Sequence, residues 1–161
     1  MMKTVHFIKT REYLNQVKES AQKVEMLKKR IEFHENAGND LGSLPAELET
    51  AMLEHHQKVA SLADMISHIS KVKYQWILMK RYIELLDWDE IAYQGNLNRR
   101  DVVSAHGFAL PEMQDVLVAA GIVAPEDTED ISVLLPEEGT LDIGTMEDYL
   151  KYREEKKRGG V

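Results

Sequence analysis

Residues 86–110 read LDWDEIAYQGNLNRRDVVSAHGFAL, and this stretch contains two helix starts of one design. Asp87 can cap a helix whose third position is Glu90, with Leu86 just outside and Ile91 just inside. Eleven residues later Asn98 stands as the cap, Asp101 at the third position, and Leu97 and Val102 bracket them. Each set is a capping box with a hydrophobic staple, the second using Asp where Glu or Gln is more usual, so each sets a start point and an approach angle. Only Gly95, Asn96 and Leu97 remain for the turn, and Gly and Asn accept a left-handed backbone at least cost. A short helix, a tight turn and a second helix is a helix-turn-helix. Its second helix, predicted over about 98–110, opens with Arg99 and Arg100, a pairing that points to nucleic acid.

Working back from that stretch, the spacing predicts a helix from a Thr10 cap to about Asn36, with Leu14, Val17, Ala21, Val24 and Ile31 on a three-to-four stripe. Gly38, Asn39, Asp40, Gly42 and Ser43 form a loop, and Pro45 suits the first turn of the next helix. That helix carries Leu48, Met52, His55, Val59, Leu62, Ile66 and Ile69 as a heptad seam with one polar member. Two helices of roughly 40 Å at 1.5 Å per residue, joined by a short loop, predict an antiparallel hairpin of 10–36 against 45–72. Its thin core predicts pairing with a second copy. From Val72 to Leu86, residues Tyr74, Ile77, Leu78, Arg81, Tyr82 and Leu85 predict a further helix, continuous or nearly so with the one before. Trp88, Ile91, Ala92, Leu97, Val102, Ala105 and Leu110 complete that unit's expected core.

Working forward, Pro111 suits the first turn of another helix over 111–120, ended by Gly121. The remainder is acidic. Residues 101–150 hold 12 Asp and Glu and no Lys or Arg, whereas residues 1–100 hold 15 basic against 14 acidic side chains. The net charge of −8 therefore belongs to the part after the helix-turn-helix. Within it, Ile131–Leu135 is an apolar run suited to a strand or an extended segment, and Thr145–Lys157 predicts a terminal helix. The expected fold is all-α. A long coiled-coil-like helical hairpin (1–72) precedes a three- to four-helix helix-turn-helix unit (73–121) and an acidic, partly irregular arm (122–161).

Chemistry of other kinds finds little support. The chain has no cysteine, which removes disulfides and thiolate metal sites. No pair among His6, His34, His55, His56, His68 and His106 has a metal-ligand spacing such as HExxH, and no GxSxG, phosphate-cradling loop or EF-hand pattern occurs. His55 reads as a packing or register residue, and the acids at Asp87, Asp89 and Glu90 as favourable partners of a helix dipole. No catalytic residue, metal or cofactor is expected. No apolar run approaches a membrane span, so a cytoplasmic protein is expected. Arg99 and Arg100 oppose the dipole at their helix start, which groove or phosphate contacts would offset. Asn98, Val103, Ser104 and His106 share the expected exposed side and join them as candidate DNA-binding residues, whereas Trp88 and Tyr82 read as core.

The segment RYIELLDWDEIAYQGNLNRRDVVSAHGFAL (81–110) resembles the helix-turn-helix of region four of bacterial sigma factors. It is most similar to the phage and prophage proteins of the RinA/ArpU late-transcription-regulator type. Those read RY, a spacer, WEEIA, a turn, S-R-R-x-V and a helix ending HGRAL. Arg81-Tyr82, Trp88, Glu90-Ile91-Ala92, Arg99-Arg100, Val102, His106-Gly107 and Ala109-Leu110 occupy those places. With the hairpin, which is also similar to that family's N-terminal half, the resemblance covers about residues 11–110. It implies a phage- or prophage-encoded regulator in a bacterial host that binds double-stranded DNA and contacts RNA polymerase, while the homodimer is expected from the thin core of the hairpin. The turn departs from the pattern: Gly95 and Asn96 stand where a large apolar residue and a glycine are usual, which is expected to thin the packing there. Ser104 and Phe108 stand where basic residues are frequent. An alternative expectation is a protein-interaction module with a degenerate helix-turn-helix, whose acidic half binds a basic surface on RNA polymerase or a nuclease.

Overall fold

A computed structural model describes residues 7–125. The acidic arm beyond 125, with its Ile131–Leu135 run and the helix expected over Thr145–Lys157, lies outside them. The described residues are all-helical with no strand: α1 (Ile8–Leu14), α2 (Gln16–Asn36), α3 (Leu44–Ile66), α4 (Val72–Leu78) continued by one π turn (Met79–Ile83), α5 (Trp88–Gly95) and α6 (Arg99–Ala119).

The two long helices differ from expectation at their ends. Thr10 is no cap; it lies buried inside α1, which opens after Phe7 in the left-handed region (φ 52°), and the chain kinks at Asn15 before α2. The second long helix stops at Ile66, and residues 67–71 separate it from α4. That break is held by the Gln75 side-chain amide, which donates to the carbonyls of Ser67 and Ile69. These are tertiary contacts that no local pattern announces.

Helices α2 and α3 lie antiparallel. Ser20 meets His55 at 2.7 Å, Lys23 meets Glu54 at 3.8 Å, and Val24 and Leu27 share a small cluster with Leu44 and Ala51. Ala51 is 2% exposed and Met52 38%, so the small residue takes the seam and the methionine is left at its rim. Ser20 donates to the Val17 carbonyl (2.9 Å), so the arrangement satisfying both Ser20 contacts has His55 Nδ1–H as the donor. Burial, then the neighbouring His56, holds the His55 pKa below its usual value. A lowered folded-state pKa means that the contribution to stability is complete above the unfolded value of about 6.5 and is lost as pH falls through the folded one. The wild-type urea midpoint should therefore drop between about pH 7.5 and pH 5 by more than that of His55→Gln; equal drops would remove His55 from the explanation.

The main core joins the hairpin to the later helices. Phe7, Leu14, Val17, Leu62, Ile66 and Ile69 pack in one cluster with Leu78, Tyr82, Ala109, Leu110, Met113, Leu117 and Val123. A boundary at 72/73 passes through this cluster. Burial on that scale also explains why α6 runs unbroken through Pro111, where the sequence predicts the start of a new helix. Proline in a helix interior costs about 3 kcal/mol through a lost hydrogen bond and a ring clash. Leu110, Met113 and Leu117 are each fully buried on the continuous helix, and at about 1.5–3 kcal/mol per apolar side chain their burial outweighs that cost.

Candidate nucleic-acid interface

Both starts are capped at the residues expected, by the cap-to-amide half of each box, and the Glu90 carboxylate accepts from the Gln94 amide at 3.0 Å. Asp87, in an extended backbone, accepts from the Glu90 amide at 2.8 Å, and Asn98 accepts from the Asp101 amide at 2.8 Å. Leu86 with Ile91 and Leu97 with Val102, the two staples, meet in a single cluster that also contains Trp88 and Ala92. One apolar cluster thus sets the position of both helices relative to the turn. Removing either cap should cost about 1 kcal/mol; denaturant unfolding of Asp87→Ala and Asn98→Ala against wild type reads this directly, and unchanged midpoints would contradict it.

The turn is built otherwise than expected. Asn96 alone takes the left-handed conformation (φ 52°), and Gly95 remains helical as the last residue of α5. Glycine is favoured there by proximity, since any larger residue would displace the Trp76 ring. A Cβ on Gly95 would lie 2.9 Å from Cη2 of Trp76, and Leu97 Cδ1 is 3.3 Å away. The α4 indole thus packs under the turn with the staple cluster, where thin packing is expected from the sequence.

Arg81, Tyr82, Trp88 and His106 form a stacked chain behind this surface. Arg81 lies 4.1 Å over the Trp88 ring and donates to the Leu86 carbonyl at 3.1 Å. Trp88 meets His106 edge-to-face at 4.8 Å, and His106 Nε2 hydrogen-bonds the Tyr82 hydroxyl at 2.6 Å. Arg81 and Tyr82 both lie on the π turn between Met79 and Ile83. Just beyond it stands Leu85, a non-glycine residue at φ 59° and 39% exposed. Leu85, expected in the core, instead reverses the chain so that Leu86 can enter the staple, and Arg81 clamps the reversal.

Of the six residues expected to face DNA, four are exposed: Asn98, Arg99, Arg100 and Ser104. Two are not. His106 is 2% exposed and committed to Tyr82 and Trp88, so it cannot reach a base. Val103 is half-buried and packs on the staple cluster. The helical period explains both, since one residue beyond Val102 and one beyond Ala105 still fall on the flank that faces α4 and α5. Asn98 is exposed, but its side-chain oxygen is spent on the cap. Arg99 Nε lies 3.3 Å from Asp89 Oδ1 across the turn, a partner ten positions away that the spacing within α6 does not announce. The exposed surface at the start of α6 is thus Arg99, Arg100, Ser104 and the rim of Phe108, beside the carboxylates Asp87, Asp89, Glu90 and Asp101.

Tyr82 and Trp88 are both 5% exposed and belong to the core, as expected. Among the described residues no three His, Asp or Glu side chains gather into a group that could hold a metal ion, and no helix is long and apolar enough to cross a membrane. No protein-family model, curated protein or solved structure matches the chain.

Proposed function

We propose that this chain is a sequence-specific, double-stranded-DNA-binding transcription regulator of the phage type, reading the major groove with the first two turns of α6. The observation that supports this most is the presentation of Arg99, Arg100 and Ser104. They stand exposed on a helix whose start is set by a cap, a staple and a stacked core rather than by a mobile loop. In a helix-turn-helix the N-terminal residues of the second helix contact base edges, and Arg forms the commonest specific contact, bidentate to guanine. RNA polymerase as a partner, homodimerisation through the α2–α3 hairpin and a cytoplasmic, phage- or prophage-encoded setting belong to the same proposal. They rest on the family resemblance and on the thin core of the paired helices.

The test is fluorescence anisotropy of labelled duplex DNA with the full chain at about 50 mM salt, where phosphate contacts are strongest. Binding that weakens steeply as salt rises supports the proposal, and no binding at that salt overturns it. A second reading has one observation in its favour: Arg99 pairs with Asp89 of α5, and Asp87, Glu90 and Asp101 at the two helix starts are exposed carboxylates as well. On that reading the chain is a protein-interaction module with a degenerate helix-turn-helix, whose acidic C-terminal half binds a basic partner such as RNA polymerase or a nuclease. Stoichiometric co-elution with purified bacterial RNA polymerase, without duplex binding, would favour it.

A further inference from the structure

The exposed surface around the start of α6 is divided by charge. On one flank α5 carries Asp89 and Glu90, with its cap Asp87 beside them, all three exposed. α4 and the π turn, whose Trp76 lies against Gly95 of the turn, carry Lys73 and Lys80, three residues before and four after that tryptophan. That spacing sets the two lysines and the indole on one helical face. Trp76 is the side chain lying against Gly95, so this face borders the turn that leads into Arg99 and Arg100. Lys80 holds its ammonium 5.8 Å from the Trp76 ring centre and 3.0 Å from Glu84, which offsets much of its charge. Lys73, one helical turn from Trp76 on the other side, is exposed.

In the usual docking of this motif the first helix crosses the phosphate backbone while the second enters the groove. Here that placement would set Asp87, Asp89 and Glu90 against phosphates. Phosphate contacts fix the position of a protein on the duplex, and a carboxylate in such a position opposes them. Building on the DNA-binding reading above, we infer that the duplex is tilted toward α4, with a backbone phosphate against Lys73 and the α5 carboxylates turned away from the strand. Arg100, on the exposed side of α6, then reads the groove beside a phosphate track that runs past Trp76 and the turn.

Salt dependence tests this, because each neutralised phosphate contributes about −0.9 to the slope of log Kobs against log salt on duplex DNA. Lys73→Gln in the full chain should make the slope shallower by about 0.9 and weaken binding severalfold at fixed salt. Glu90→Gln, on the α5 face, should change neither. Both positions are solvent-exposed, and circular dichroism will confirm that the variants keep the wild-type helix content. A Lys73→Gln slope equal to wild type overturns the inference, as does tighter binding with a steeper slope in Glu90→Gln, which would put the phosphates on α5. Absence of wild-type binding overturns the DNA reading itself and is seen before any variant is compared.

Discussion

Replacing Arg99 and Arg100 together by Ala should weaken duplex binding by roughly two orders of magnitude and make the salt slope shallower by up to about two. The magnitude comes from the two contributions of an arginine at such a surface. A bidentate contact to guanine discriminates by about 1–3 kcal/mol, and a phosphate contact releases about one counterion. The two residues should not contribute equally. Arg99 already has a carboxylate partner, Asp89, at 3.3 Å, and must exchange it for DNA. Its removal therefore loses less, and Arg100→Ala should account for most of the double variant's defect. Arg100→Lys separates the two kinds of contact, since lysine replaces a point charge but not a planar fork. Retained affinity with retained sequence preference would show that Arg100 holds a phosphate. Retained salt slope with lost preference would show that it reads a base. Double-variant binding indistinguishable from wild type would remove α6 from the interface.

His106→Ala should destabilise the helix-turn-helix by about 3 kcal/mol, as much as truncating one of its large apolar core side chains. The imidazole is 2% exposed, hydrogen-bonds the Tyr82 hydroxyl at 2.6 Å and meets the Trp88 ring at 4.8 Å. Truncation opens a cavity, removes that contact from a buried hydroxyl and frees the indole that Arg81 clamps from its other side. Against a typical total of about 5–15 kcal/mol this is a large fraction. Urea unfolding gives the number, and Tyr82→Phe, which removes only the hydroxyl, should cost about 1 kcal/mol. The measurement also separates a structural His106 from a DNA-contacting one. Under conditions where the variant is fully folded, it should bind duplex with the wild-type salt slope. A shallower slope in the folded variant would return His106 to the interface.

The residues around the site show which kinds of information a linear pattern carries. The two caps are legible because an N-cap hydrogen bond is closed within four residues: Asp87 with the Glu90 amide and Asn98 with the Asp101 amide depend on nothing distant. The staples are legible for the same reason, since each lies within a short span of chain. Gly95 belongs at the turn, but for a reason that sequence spacing does not supply, because Trp76 stands nineteen positions earlier. A signal is nonetheless present: a glycine leaves volume beside the turn for another side chain, and Trp76 is a large residue on a preceding helix. His106 and Val103 fall outside the exposed face expected for them because a helical face can be drawn in more than one register until its neighbours are known.

The same division runs through the whole chain. Sequence alone determined the helical class, the positions of the two capped starts, the tight turn and the two arginines beyond it. Each of these arises from local hydrogen bonding, backbone preference or a short apolar period. Tertiary structure decided where the long helices break, at Asn15 and over residues 67–71, and that α6 runs on through Pro111. It also decided that Arg81, Tyr82, Trp88 and His106 form one stacked support, and that Arg99 faces Asp89. These outcomes depend on contacts between residues far apart in the chain, whose burial outweighs local costs of about one to three kcal/mol.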